Sequence, residues 1–280
     1  MKVGLTLPSF TNDPLDAVAV AVAAERAGVD GIFVYDHLFR SASDGRRRPA
    51  LECVSLLGAV SAATVRIAVG TLVARASLRP PASLVAALDT ARRLAPDRLV
   101  AGLGAGDSKS HAENTNFGLA FGTMRDRVER LETVVNAARD RGFPVWVGGT
   151  SAAVRDVSAR TADGWNQWGG TADRFRSRTA ALGPAAHRQP FACSWGGLVV
   201  LGDDDEAADT KRQRLGVAPD VISGGPERVA AALEPYVAGG ADWLILGPVD
   251  SRDPANAVLI GEQLAPLLRG HATARPDRTS

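Results

Sequence analysis

The sequence predicts an α/β protein folded as a closed (β/α)8 barrel, the TIM-barrel architecture, on three observations. Short apolar, β-branched runs recur along the chain, and each of eight such runs is followed by at least one stretch of helical character. No Pro/Gly/Ser-rich linker breaks the alternation over 280 residues, so a single domain is expected over 1–269, with 270–280 as a flexible C-terminal tail. Polar or glycine-rich clusters follow the runs at Asp36-His37, Gly104–His111, Gly148–Ser151 and Asn166–Gly170, and a further one at Ser223–Gly225 precedes a helix. At the C-terminal ends of barrel strands such clusters line one cleft. A doubly wound open sheet is the competing architecture. Against it, Gly102, Gly104 and Gly106 lack both the complete GxGxxG pattern and an immediately following helix.

Val3–Leu7 reads as the first strand, and Leu15–Ala27 as an Ala-rich helix capped by Asp13, with Pro14 at its first position and Gly28 ending it. Gly31–Tyr35 is the second strand, followed by a polar loop containing Arg46–Arg48. Ala50–Thr64 is the next helix, Arg66–Val73 the third strand and Pro81–Leu94 the helix after it. Arg98–Leu103 is the fourth strand and Gly104–Gly122 a long loop; Thr123–Arg141 interleaves acids and bases as a surface helix. Strands at Pro144–Val147 and Asp163–Asn166 alternate with helices at Ala152–Arg160 and Ala172–Leu182. Phe191–Leu201 is the seventh strand, followed by helices at Asp203–Leu215 and Pro226–Ala238. Trp243–Leu246 is the eighth strand and Pro254–Leu268 the last helix.

Composition narrows the function classes. The formal net charge of +1, from 32 basic and 31 acidic residues, argues against a dominant polyanion-binding surface. No nucleic-acid module is present, and Arg46–Arg48 reads as a solvated loop. Cys53 and Cys193 belong to no CxxC pair and are expected to be reduced, buried thiols, consistent with a cytoplasmic protein. The chain opens on VGLTL without a signal-type h-region, and no apolar run approaches the ~20 residues of a membrane span. His37, His111, His187 and His271 are dispersed, so no metal site is assigned. There is no GxSxG nucleophile elbow. Asp36, Asp107 and Glu113 have no spacing that singles out a glycosidase pair.

Five groups of residues remain as candidates. Gly148-Gly149-Thr150-Ser151 places two glycines and two hydroxyls between a strand and a helix, where free N–H groups and the helix dipole favour a phosphate. An ordinary capped turn fits the same residues. Gly224 and Gly225 precede another helix and either share that anion or simply start the helix. Gly104 and Gly106 allow a flat ligand to lie against the backbone, with Lys109 or His111 meeting an acidic group; a solvated loop fits almost as well. Trp165 and Trp168 bracket Asn166 and Gln167 at a strand end, one as core and the other as pocket wall. Asp36-His37 closes an apolar strand, and the pair is either structural or chemical. Direct contact between the two requires a turn there, because adjacent strand side chains point to opposite faces.

An ordered set of segments resembles the bacterial-luciferase-like superfamily of flavin- and deazaflavin-dependent oxidoreductases: VGLTLP, AERAGVDGIFVYDHLF, RIAVGTLVARASLRPPASLVAALDTARRLAPDRLVAGLGAG, PVWVGGTS, ARTADGWNQWG and GGPERVAAALEPYVAGGADWLILGP. The resemblance runs from Met1 to about Leu268. It implies a luciferase-like barrel holding coenzyme F420 or, alternatively, FMN at its C-terminal face. It further implies Asp36 and His37 beside the cofactor ring and a bulge at Thr71-Leu72-Val73, in some members with a non-prolyl cis peptide, behind the ring. The phosphate then lies at Gly148, Gly149, Thr150 and Ser151, with Gly104, Gly106, Asn166, Gly224 and Gly225 completing the cofactor-binding set. F420 is preferred, because the Asp-His pair and the glycine turn resemble the F420-using branch.

The implied reaction is hydride transfer between the deazaflavin and a small organic substrate. His37 handles the proton, Asp36 orients it or bonds to the ring, and Glu113 is the alternative acid–base group. An FMN-dependent monooxygenase and a non-catalytic protein binding a phosphate-bearing cofactor are the other readings. A homodimer is what the family favours. Phe10, Phe39 and Phe117 suggest a partly apolar substrate pocket. Helix Thr123–Arg141 runs almost directly into Phe143-Pro144, where many relatives carry a longer excursion, so a more open pocket, or one covered by a partner subunit, is expected.

Overall fold

The computed structural model describes residues 1–41, 47–108, 110–187 and 191–273. Strand β1 (Lys2–Thr6) leads to α1 (Pro14–Arg26), whose first turn is fixed by Asp13 accepting from Leu15 N–H at 2.8 Å. Strand β2 (Gly31–Val34) is followed by a small antiparallel hairpin, β3 (Phe39–Ser41) and β4 (Arg47–Pro49), within the segment read as a polar loop. Next come α2 (Cys53–Ala63), β5 (Ala68–Arg75), α3 (Pro81–Leu94) and β6 (Leu99–Gly104). The long loop that follows contains a helix, α4 (Ser110–Asn116), which Asp107 caps by accepting from Ser110 N–H at 3.0 Å. Asp107 is therefore a capping residue rather than an acid–base candidate.

Helix α5 (Met124–Arg139) starts in a capping box between Thr123 and Asp126. Strands β7 (Val145–Gly148) and β8 (Gly164–Trp168) are followed by α6 (Ala152–Thr161) and α7 (Ala172–Ala180). Then come β9 (Ala192–Leu201), α8 (Asp205–Leu215), the short β10 (Ile222–Gly224), α9 (Pro226–Ala238) and β11 (Trp243–Pro248). The chain closes with α10 (Ala255–Val258), a π-helical stretch Leu259–Leu264 and α11 (Ala265–Thr273). Gly261 lies in the π stretch, where a Cβ would meet Ala27 O at 2.3 Å, so the widened turn coincides with close approach to the end of α1. Residues 270–273, expected to begin a flexible tail, continue helix α11. The remainder of the expected tail, 274–280, lies outside the described residues, as do Arg46 and Lys109.

Eight parallel strands close in the order β1-β2-β5-β6-β7-β8-β9-β11, with β11 pairing back to β1. The expected (β/α)8 barrel is thus the observed architecture. β10 pairs with β9 at Val199–Leu201, past the residues of β9 that pair with β8. The main core lies between the strands and the helical shell, and includes Trp165 stacked on Phe175 at 5.8 Å. Cys53 and Cys193 are free and buried, and burial pushes the Cys53 thiol well up.

Inside the barrel, Phe33, Trp146 and Trp243 pack together with ring centroids 5.5–6.0 Å apart. Glycines on neighbouring strands make room for them. A Cβ on Gly4 would lie 2.9 Å from Phe33, on Gly31 2.9 Å from Trp243, and on Gly164 2.6 Å from Trp146. Large side chains from some strands therefore fill space left by small ones on others, and the lower barrel is solid rather than a pore.

Candidate active site

The second strand ends at Val34 and the chain then turns, so that Tyr35, Asp36 and His37 diverge. Asp36 is 2% exposed and does not meet His37. Its carboxylate accepts from Arg79 at 2.6 and 3.1 Å and from Arg75 N–H at 3.0 Å, while its carbonyl accepts from Arg75 Nε at 2.7 Å. The expectation that Asp36 orients His37 is corrected: Asp36 ties the end of β2 to the end of β5. Arg79 also pairs with Glu52, the cap of α2, so both sides of this loop junction are charge-balanced.

The partner of His37 is Glu113. His37 Nδ1 lies 2.8 Å from Glu113 Oε1 across 76 residues of sequence. The other oxygen, Oε2, accepts from Leu38 N–H at 2.6 Å and from Arg75 Nη2 at 2.9 Å. Burial opposes ionisation of Glu113, but the His37 and Leu38 hydrogen bonds and the Arg75 charge outweigh it and hold the carboxyl below its usual range. An ionised carboxylate only accepts, so Nδ1 carries the proton and Nε2 is left as the ring's second functional atom. The His37 side chain is 42% exposed, against 7% for Glu113 and 4% for Arg75. The pair thus has one solvent-facing member on a buried, charge-fixed base. Phe10 and Tyr35 flank the imidazole, with ring centroids at 5.7 and 6.2 Å.

Strand β5 breaks register with β6 between Thr71 and Ala74, and the Leu72–Val73 peptide is cis. The expected bulge is therefore present, and the cis bond has a definite position. Thr71 is buried and donates to Gly102 O at 2.6 Å, while Val73 points across the barrel mouth. A Cβ on Gly104 would meet Val73 Cγ2 at 2.4 Å, and a Cβ on Gly148 would meet Val73 Cγ1 at 2.5 Å. These two glycines form a socket for the Val73 isopropyl group, a use that neither loop reading anticipated. Gly106, at φ 77°, turns the chain beyond β6 beside Ser77 and Ser110.

At the end of β7, Gly149 has φ 142° and donates to Asn166 O at 3.1 Å. Ser151 caps α6 by accepting from Val154 N–H at 3.3 Å, leaving the N–H groups of the first helical positions to face outward, and Thr150 is exposed. Asn166 is buried and donates to Ser194 Oγ at 2.9 Å. Trp165 is the core member of its pair, whereas Trp168 is 43% exposed and lies over Gly196 and Gly247. With Leu198, 45% exposed, it forms an apolar wall at the mouth.

The glycines ahead of α9 differ from the turn ahead of α6. Gly225 N–H donates to Asp205 Oδ1 at 2.8 Å, and the Arg228 side chain covers Gly224. The expectation that Gly224 and Gly225 share the anion is corrected, because a carboxylate of the chain already takes that N–H and a second anion beside it would be repelled. Of the other sequence candidates, His111 packs edge-on against Phe121 at 5.2 Å, and Phe117 is 56% exposed. Phe39 lies under the Arg47 guanidinium at 4.8 Å, and Phe10 is the one of the three phenylalanines that reaches His37. Sequence reasoning missed Arg75 and Arg79; their signal was two arginines four residues apart at the end of an apolar strand, in RASLR.

Two side-chain oxygens at this face, Ser9 Oγ and Ser77 Oγ, are buried without a hydrogen-bond partner, which suits a polar ligand seated there. A separate cavity of about 590 Å³ opens at the opposite, N-terminal end, lined by residues that include Arg139, Phe143, Trp146, Asp163 and Asp242. The chemistry-bearing groups lie at the other end. Among the described residues no group of three His, Cys, Asp or Glu side chains is placed to hold a metal ion, and no helix is long and apolar enough to cross a membrane.

A barrel with a hydrogen-bonded His–Glu pair, a bulged third barrel strand and a glycine turn at its C-terminal face defines a class, and comparison with known families agrees. Residues 1–218 match the luciferase-like monooxygenase family, and the chain belongs to it. A curated relative, the F420-dependent glucose-6-phosphate dehydrogenase of Tsukamurella paurometabola, is 30% identical over 232 residues, covering 82% of this chain and 61% of its own length. The enzyme of that name from Nakamurella multipartita is 30% identical over 193 residues, covering 59% of this chain and 56% of its own length. The matches thus span little more than half of those relatives. Among solved structures, an F420-dependent secondary alcohol dehydrogenase bound to an F420-acetone adduct superposes with a TM-score of 0.77 at 16% identity, covering 96% of this chain and 99% of the other. The EDTA monooxygenase of Chelativorans sp. BNC1 superposes with a TM-score of 0.78 at 13% identity, covering 100% and 96%. At such identities the structural matches speak for the fold.

Proposed function

We propose that the protein is a coenzyme F420-dependent oxidoreductase acting on a small organic substrate at the C-terminal mouth of the barrel. The observation that carries this reading is the His37–Glu113 pair, fixed by Arg75 beside the Val73 bulge and opposite an apolar wall. The curated relatives, both named F420-dependent dehydrogenases, favour F420 over FMN.

When bound, the deazaflavin supplies hydride transfer. The chain supplies the rest. Val73, seated over Gly104 and Gly148, gives a rigid apolar surface for one face of a ring, and the Thr150–Ser151 end of the turn, with the first positions of α6, offers N–H groups to a phosphate. Ser9 and Ser77 offer hydroxyls. His37 Nε2 takes a proton from a substrate hydroxyl, or returns one, while Glu113 stabilises the imidazolium that results. Arg75 keeps Glu113 ionised, and so in its orienting role. Trp168 and Leu198 keep water from one side of the mouth. A homodimer, favoured by family resemblance, and a cytoplasmic location, favoured by the two free buried thiols, belong to the same reading.

Titration of the purified protein with F420 and with FMN, each followed by fluorescence quenching, tests this proposal. Saturable F420 binding with FMN at least tenfold weaker is expected. The reverse preference would return the FMN-dependent monooxygenase as the better account.

A further inference from the structure

The outer rim of the phosphate-type turn carries three arginines that no carboxylate among the described residues pairs with. Arg155 of α6 donates to the carbonyl of Thr150, within the turn itself. Arg178 of α7 donates to Gln167 Oε1 at 3.0 Å, and its Nη1 lies 4.0 Å from the Cβ position of Gly170. Arg174 precedes Arg178 by four residues and shares its helix face, a like-charge spacing that disfavours the helix. Burial lowers the Arg178 pKa, and the nearby charges of Arg155 and Arg174 lower it further.

The neighbouring acids are already engaged. Asp173 pairs with Arg176 at 2.7 Å, Asp156 with Arg160 at 2.9 Å, and Glu132 with the same Arg160 at 2.6 Å. Among the described residues, Arg155, Arg174 and Arg178 have no ion pair. The three thus make an unmatched cationic trio. Its members converge from two helices onto the strip running outward from Gly148–Ser151 toward Gly170.

We infer that Arg155, Arg174 and Arg178 form a polyanion subsite, continuous with the phosphate turn, for the γ-linked glutamate carboxylates that coenzyme F420 carries beyond its phosphate. This inference rests on the F420 reading of the barrel mouth. A phosphate at the turn directs whatever is attached to it along the rim, and carboxylates arriving there meet Arg155 and Arg178, each held by a neutral acceptor, and the exposed Arg174 beside them. The redox ring stays with Val73 and His37, so the trio tunes affinity and cofactor tail length rather than the chemical step.

The test compares three probes by fluorescence quenching: F420 with several glutamates, the phospholactyl form without glutamates, and the deazaflavin ribityl precursor lacking both. Each is titrated into wild type and into the triple variant Arg155→Gln/Arg174→Gln/Arg178→Gln, at low and high salt. Wild type is expected to prefer the glutamylated form by tenfold or more at low salt, with the preference shrinking as salt rises. The triple variant is expected to lose that preference, its affinity for the glutamylated form falling at least tenfold further than its affinity for the phospholactyl form. Because three variants on two helices can disturb folding, Arg178→Lys alone serves as control; it keeps the charge and is expected to retain most of the preference. Equal affinity of wild type for glutamylated and unglutamylated forms, or a preference that survives in the folded triple variant, would overturn the subsite and leave the cofactor reading intact. Failure of all three probes to bind wild type would overturn both.

Discussion

At the residue scale, the site turns on which acid meets His37. The adjacent pair Asp36-His37 stands out in the sequence, but strand geometry sends neighbouring side chains apart, and the fold gives Asp36 to Arg79 and His37 to Glu113. Nothing local to position 37 reveals a partner 76 residues away on a helix of seven residues. The assignment makes a separable prediction. His37→Ala and Glu113→Gln are each expected to slow turnover by about 10²–10⁴-fold, the usual range for a lost general acid–base group, while F420 affinity changes less than about threefold. Steady-state kinetics with parallel quenching titrations check this. If His37→Ala turned over like wild type, His37 would not be the proton-handling group.

At the scale of elements, the strands and most helices were legible because β-branched apolar runs and N-terminal caps are local signals. Helix Pro81–Leu94 matches its expected bounds, and the Asp13 cap lies where the sequence places it. The hairpin at 39–49 and α4 were not legible, since both are short, polar and held by distant partners. The glycines of β6 and β7 read as ligand-approach residues, yet Gly104 and Gly148 are also required by Val73, a contact between three strands that no single motif contains. Gly104→Ala is therefore expected to destabilise by about 1–3 kcal/mol through overpacking against Val73. Adding Val73→Ala should recover much of that loss. Urea unfolding of the two single variants and the double variant measures the coupling, and strictly additive effects would show that the socket is not the cause.

At the scale of the whole molecule, buried and hydrogen-bonded carboxylates set the acid limit of stability. Glu25 joins α1 to the start of β5, its Oε1 accepting from the N–H groups of Val65, Arg66 and Ile67 at 2.9, 2.6 and 3.0 Å. For Glu25, burial works against ionisation, but these hydrogen bonds win and lower its pKa, as the corresponding bonds do for Glu113. A folded-state value below the unfolded 4.5 means that the stabilisation is fully present above pH 4.5 and is lost as pH falls through the folded value. The urea midpoint is expected to hold near neutrality and to drop between roughly pH 5 and 3, with a shallower drop in Glu25→Gln. A midpoint unchanged down to pH 3 would contradict it. The barrel also offers two ends to a ligand, and the account places the cofactor at only one of them. A crystal structure of the F420 complex decides the matter most directly. The deazaflavin ring is expected against Val73 and beside His37, with its phosphate at Gly148–Ser151; a ring seated in the opposite cavity by Trp146 and Arg139 would overturn the proposed site.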